Sequence, residues 1–84
     1  MNKYLAKEII KRYLDEKKIE EIILEKYTLG TKLKAPRDEL HQYVGQKLNV
    51  NVNVPLIKRI NRYFERVGVR RVKNRGRRYY RGIG

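Results

Sequence analysis

The sequence predicts a mainly α-helical domain that closes with a β-hairpin. As far as Val67, apolar residues recur at three- and four-residue steps, which is the spacing of amphipathic helices. After Gly68 the segments become short, β-branched and aromatic, with a turn sequence between them, as expected for two paired strands. The length of 84 residues fits one compact domain with a small core.

Residues 1–30 form the N-terminal helical part of this prediction. A first stripe, expected to be helical from Lys3 to about Lys17, consists of Leu5, Ile9, Ile10, Tyr13 and Leu14. Charged residues 15–18 interrupt it, and Ile19, Ile22, Ile23 and Tyr27 continue the spacing, as a second helix or a bent extension of the first. Gly30 is the expected helix stop, and residues 31–33 are expected to form one short strand.

Residues 34–68 are predicted to be two helices joined by a turn. The first should begin near Pro36, with Asp38 and Glu39 at the positive end of its dipole, and bury Leu40, Tyr43, Val44 and Leu48. Gly45 inside it either weakens the helix or permits close packing, and both interpretations stay open. Asn53 should cap the second helix, which turns Leu56, Ile57, Ile60, Phe64 and Val67 inward and ends at Gly68.

Residues 69–84 are predicted to form the hairpin. Val69–Lys73 and Arg77–Ile83 are the strands, and Asn74-Arg75-Gly76 is the turn signal between them. Tyr79 and Tyr80 point to opposite faces, so at most one packs inward. Helix, turn, helix and hairpin is the order of a winged helix-turn-helix, in which the second helix enters the major groove and the hairpin follows the backbone. Residues 1–84 are therefore predicted to be a single winged-helix domain.

The charge of the chain is high and uneven. There are 22 Lys and Arg residues against 9 acidic residues, a formal net charge of +13. Such an excess opposes compact folding unless a polyanion neutralises it, and nucleic acid is the commonest polyanion. A membrane surface, an acidic protein partner or simple solubility are the alternatives. Residues 1–30 hold seven basic and six acidic residues, whereas residues 58–84 hold eleven basic residues and one acidic residue.

The candidate nucleic-acid-binding residues lie on two predicted surfaces. The helix face consists of Lys58, Arg59, Arg62 and Arg66, with Asn61 at its margin, where it could read an adenine edge. The hairpin carries Arg70, Arg71, Lys73, Arg75, Arg77, Arg78 and Arg81, with no acidic residue among them. Arginine suits phosphate because its planar fork donates two hydrogen bonds to one group. The alternatives are a solvated cationic face and a disordered basic tail; the interleaved apolar residues argue against the tail.

The tyrosines divide into two groups. Whichever of Tyr79 and Tyr80 is exposed could stack on a base or a ribose. The others are expected in the core or at its edge, and they are Tyr13, Tyr27, Tyr43 and Tyr63.

Nothing in the sequence favours an enzyme. Ser and Cys are absent, so the usual nucleophiles are missing, and no glycine-rich phosphate loop is present. His41, the single histidine, is expected on a helix surface, without a metal or a catalytic role. We expect no cofactor. The absence of a long apolar run and of a signal-peptide pattern predicts a cytoplasmic protein, and the composition is typical of thermophiles.

The segments Phe64–Val72 (FERVGVRRV) and Gly76–Ile83 (GRRYYRGI) resemble the winged-helix end of viral and plasmid primase-helicases. The resemblance covers about the last thirty residues. It implies a winged helix that binds DNA near a replication machine, with Tyr80 and Ile83 packing the hairpin and Arg77 and Arg78 facing outward. The 84 residues contain no ATPase or primase domain, so we expect the chain to act alone or as a subunit. In size and charge it is also similar to small basic accessory subunits of archaeal replicative DNA polymerase.

Three functional hypotheses stay open at this point. The first is a double-stranded DNA-binding protein of replication or transcription that makes mainly phosphate contacts. The second is an accessory subunit that docks a larger replication or transcription protein through Ile19, Ile22 and Ile23. The third is a small ribosomal or RNA-binding winged-helix protein.

Overall fold

A computed structural model describes residues 16–84 of the chain. The stripe predicted between residues 3 and 14, with Tyr13, lies outside this part. Within it there are three helices and three strands. In chain order they are α1 (helical from residue 16 to 26), β1 (Leu29–Pro36), α2 (Arg37–Leu48), α3 (Val54–Val67), β2 (Arg70–Asn74) and β3 (Arg77–Ile83).

The three strands form one antiparallel sheet in the order β1-β3-β2. The predicted hairpin of β2 and β3 is confirmed, and its turn is Arg75-Gly76, with φ angles of 52° and 79°. The prediction for β1 was wrong in length, since the strand spans eight residues and includes Gly30, the expected helix stop. Ala35 is the one buried residue of β1. The strand therefore lacks the alternation of buried apolar and exposed polar residues by which a strand is recognised in a sequence. Pairing with β3 makes it a strand, and the fold is mixed α/β.

The ends of α2 and α3 follow the predicted signals. α2 begins directly after Pro36, with Asp38 and Glu39 in its first turn. At the start of α3, the Asn53 side chain accepts a hydrogen bond from the Leu56 backbone N–H at 3.0 Å. Gly68 ends α3 in a left-handed conformation. The predicted local signals therefore lie at the start of both helices and at the end of α3, whereas α2 ends at Asn49 in a left-handed conformation that was not predicted.

The core lies between the three helices and one face of the sheet, which we call the inner face. Its buried apolar residues are Ile19, Ile22, Ile23, Tyr27, Ala35, Leu40, Val44, Leu56, Ile60, Tyr63, Phe64, Val69, Tyr80 and Ile83. Tyr43 and Leu48, which were predicted to be buried, are partly buried and pack against this core. Val67, expected inward, is 38% exposed. Helical spacing gives the direction of a side chain, but not how far along the helix the packing extends.

Gly45 lies where the chain after α2 turns back against the helix. A Cβ atom there would lie 3.0 Å from the Val50 carbonyl oxygen and 3.2 Å from the Val52 Cγ2 atom. The Val50 N–H also donates to the Gly45 carbonyl at 2.9 Å. Of the two interpretations, the structure supports close packing, because a side chain at this position would push the turn away.

Gly82 allows two nearby residues of β3 to reach the core. Tyr80 and Ile83 are both buried, although residues three apart in a regular strand point to opposite faces. Gly82 has a φ of 106°, which breaks the alternation between them. Tyr80 and Ile83 pack the hairpin, as the resemblance implied, and Arg77 and Arg78 are exposed.

Tyr80 is fully buried where β3 meets α2 and α3. Its hydroxyl lies 2.6 Å from His41 Nε2 and donates to Asn61 Oδ1 at 2.8 Å. Its ring centroid is 4.5 Å from that of Phe64. The expectation that His41 lies on the helix surface was wrong, since it is 4% exposed. Its partner is 39 residues away in the chain, so the local sequence carries no sign of the contact.

The Tyr80→Phe variant should be less stable than the parent by about 1–3 kcal/mol, because it leaves the buried His41 and Asn61 groups without their partner. Urea denaturation followed by circular dichroism measures the difference in the free energy of unfolding. The control is Tyr79→Phe, the neighbouring residue on the other face, which should change stability by less than about 0.5 kcal/mol. Equal effects of the two substitutions would contradict the role assigned to the Tyr80 hydroxyl.

Candidate nucleic-acid interface

The exposed cationic face predicted on α3 is present, and its Arg66 forms an ion pair with α1. Lys58, Arg59 and Arg62 are exposed. The Arg66 Nη1 atom donates to the Glu16 carboxylate of α1 at 3.0 Å. Arg66 therefore links α3 to α1, and Lys58 and Arg62 are the cations of this face that point furthest from the core.

Asn61 is half-buried at the margin of the helix face. Its Oδ1 atom accepts the hydrogen bond from Tyr80. A bidentate contact with adenine uses both the oxygen and the nitrogen of the amide, so it would break that bond. The structure therefore places Asn61 in the contact between α3 and the sheet.

The hairpin cations are exposed, and they divide between the two faces of the sheet. Arg71 pairs with Tyr80, and Lys73 pairs with Arg78 two residues further along, so Arg71, Lys73 and Arg78 share the inner face with Tyr80. The pairs Arg70–Arg81 and Asn74–Arg77 lie on the opposite side, together with Tyr79. Arg75 occupies the turn. The prediction from the sequence placed all these cations on one hairpin surface.

We call Arg71, Lys73 and Arg78 the inner hairpin face. It continues the side of the sheet on which α2 and α3 pack. Arg71 lies beside the Tyr80–Asn61 contact, and Lys73 and Arg78 lie two residues closer to the turn. Arg37 joins them there, with its guanidinium carbon 5.5 Å from the Tyr80 ring centroid. Arg37 was not among the residues predicted from the sequence. A usable signal was its position, because a cation in the first turn of a helix opposes the helix dipole and suggests another role.

The outer face of the sheet, opposite the helices, carries a second basic surface. Lys34 of β1 pairs with Arg81 of β3, which in turn pairs with Arg70 of β2. Lys34 also places its Nζ atom 5.0 Å from the Tyr79 ring centroid. Lys34 was not among the predicted residues, because the predicted strand covered residues 31–33 only.

Two ionisable groups of the buried contact have shifted pKa values. Burial lowers the pKa of His41 below 6.5, and the nearby Arg37 charge lowers it further, against a smaller opposing effect of Asp38. Burial raises the pKa of Tyr80 above 10.0, and Arg37 and Arg71 partly oppose this rise. Since the Tyr80 proton is donated to Asn61, neutral His41 must donate from Nε2 to the Tyr80 oxygen. The contact is a chain of hydrogen bonds from α2 through β3 to α3.

The residues expected to dock a partner protein lie in the core and not on the surface. Ile19, Ile22 and Ile23 of α1 are buried in the core. This part of the accessory-subunit hypothesis was wrong, because side chains that close the core cannot contact a second protein. Their helical spacing is common to core residues and to docking residues, and only the packing distinguishes the two.

Neither a metal site nor a membrane span is found in the described part of the chain. Among residues 16–84, no three His, Cys, Asp or Glu side chains gather where they could hold a metal ion. No helix in the same range has the length and apolar content needed to cross a membrane. The chain matches no protein-family model, no curated protein and no solved structure in the comparisons made with them.

Acidification should destabilise the protein partly through His41. Because the folded state lowers the pKa of this residue, the unfolded chain binds the proton more readily. The stability from neutral His41 is therefore complete above pH 6.5 and is lost as the pH falls below it. Urea midpoints at about pH 7.5 and about pH 5.5 measure the change.

The matched control is His41→Gln, whose amide can donate to Tyr80 but does not titrate. Its midpoint should fall less than that of the parent over the same pH interval. An identical fall in both proteins would mean that His41 contributes nothing to the acid sensitivity.

Proposed function

We propose that the protein is a double-stranded DNA-binding domain of the winged-helix class. In this proposal α3 enters the major groove and the hairpin contacts the adjacent backbone. The observation that carries it is the position of two cationic surfaces on either side of one buried contact. Lys58 and Arg62 lie on the exposed side of α3, and the inner hairpin face begins at Arg71, the pairing partner of Tyr80.

The order of the elements supports the proposal. A helix, a strand, two helices and a hairpin follow one another in the described residues, and the first strand pairs with the last. A winged helix has this order, with its recognition helix directly before the hairpin. α3 holds that position and carries the helix face.

The charge balance indicates contacts with phosphate. Glu65 is the single acidic residue between positions 58 and 84, against eleven basic ones. Arginine provides most of these cations, and its fork can donate two hydrogen bonds to one phosphate. Binding that relies on phosphates releases counterions, so the affinity should fall steeply as salt is added.

The decisive experiment compares two pairs of substitutions by fluorescence anisotropy with a labelled duplex. Lys58→Ala with Arg62→Ala tests the helix face, and Arg71→Ala with Arg78→Ala tests the inner hairpin face. Each pair should lower the affinity at least about 10-fold and reduce the slope of log K against log salt by about 2, since each lost phosphate contact removes about one unit.

The charge-matched control is Lys26→Ala with Lys47→Ala, two exposed cations that form ion pairs on α1 and α2. This pair should change the affinity by less than about threefold, because screened charges away from the contact act weakly. A loss as large as in the test pairs would show that net charge alone drives binding. Tighter binding of an RNA duplex than of the DNA duplex would instead favour an RNA partner.

A further inference from the structure

The outer face of the sheet is organised in rows that cross the strands. One row is cationic and consists of Lys34, Arg81 and Arg70, one residue from each strand. The next row is apolar and consists of Pro36, Tyr79 and Val72. Beyond it lies the pair Arg77–Asn74. Rows on one face of a sheet are separated by two residues, or about 6.6–6.8 Å along a strand.

Tyr79 lies at the centre of this pattern. It belongs to the middle strand and is half-buried beside Val72. Its ring helps to line a groove of about 430 Å³, together with Val72, Lys34 and Arg81. The groove and the ring are on the side of the sheet that the helices of residues 16–84 leave uncovered.

The outer face has no negative charge of its own. None of its paired positions is acidic, and the ion pairs found among residues 16–84 use Lys26, Lys47 and Arg66 instead. Lys34 lies near the aromatic ring, an arrangement worth little when exposed to solvent. An anionic ligand would therefore meet cations that need not first give up a carboxylate partner.

We propose that this outer face is a second nucleic-acid site, which takes a single strand. One unpaired base stacks on Tyr79, and the phosphates on either side contact the Lys34–Arg81–Arg70 row and Arg77. A strand of this kind suits the face better than a duplex, because phosphate contacts alone do not need a central aromatic ring. Bases within a duplex are already stacked on one another, whereas an unpaired base can use the ring.

The two sites are on opposite sides of the same hairpin and use different residues. The proposed duplex surface uses the helix face and the inner hairpin face, whereas the single-strand site uses outer-face residues. Alternation along β3 separates them, since Arg78 and Tyr80 point inward while Arg77, Tyr79 and Arg81 point outward. The single-strand site therefore does not depend on the proposed duplex function, and each can fail without the other.

A tryptophan at position 79 provides a direct test, since the chain has no other tryptophan. An oligo(dT) strand should quench the fluorescence of the full-length Tyr79→Trp variant, because a stacked base contacts the indole. The same variant should not be quenched by heparin, a polyanion without bases. Tyr43→Trp, at the edge of the core on α2, is the matched control and should not respond to oligo(dT). Quenching by heparin, or equal quenching at position 43, would overturn the proposal.

Affinities provide the second test and separate stacking from folding. Tyr79→Thr introduces a β-branched residue that suits a strand but removes the ring, so oligo(dT) binding should weaken about 10-fold. Tyr79→Phe should bind oligo(dT) within about twofold of the parent, because it retains the ring. Duplex affinity and the urea midpoint of Tyr79→Thr should stay near those of the parent. Unchanged oligo(dT) binding, or a joint loss of duplex and single-strand binding, would overturn the site.

The Lys58→Ala and Arg62→Ala pair links this test to the duplex experiment. It should weaken duplex binding and leave oligo(dT) binding within about twofold. If the Lys58→Ala and Arg62→Ala pair left duplex affinity unchanged while Tyr79→Thr still lowered the affinity for oligo(dT), the duplex proposal would fail and the single-strand site would stand. The reverse pattern would remove the single-strand site alone.

Discussion

The buried hydroxyl of Tyr80 is the constraint on which the arrangement of the molecule depends. It joins α2 through His41, α3 through Asn61, and the central strand of the sheet that carries it. A polar group without solvent must have its partners in place, so this chain of hydrogen bonds permits one placement of the sheet on the helix pair. Packing of the Tyr80 ring against the Phe64 ring stabilises the same placement.

This placement decides on which face of the sheet each cation of the hairpin lies. With Tyr80 fixed inward, alternation sends Arg71 and Arg78 to the side of the helices, and Tyr79 and Arg81 to the other side. One basic hairpin thus presents two surfaces of different chemistry, one continuous with α3 and one built around the half-buried Tyr79 ring. Under the two proposals, a duplex and a single strand would contact opposite faces of this one hairpin.

Much of the fold could be predicted from local signals. The Asn53 cap, the bounds of β3 and the turn at Arg75 depend on neighbouring residues, and the structure has them where the sequence placed them. Contacts between residues far apart in the chain could not be predicted in this way. The burial of His41 and the full length of β1 could not be predicted, because the partners of both come from distant parts of the chain.

Local sequence patterns account for the strong positive charge, its concentration after residue 58, and the two helices and the hairpin that carry it. Those properties depend on composition, spacing and turn chemistry, all of which act over a few residues. The tertiary structure alone decided that the isoleucines of α1 close the core, that Asn61 bonds to Tyr80, and that the hairpin cations divide between two faces. These outcomes require packing between segments far apart in the chain, and the residues of one segment do not show which other segment it will pack against.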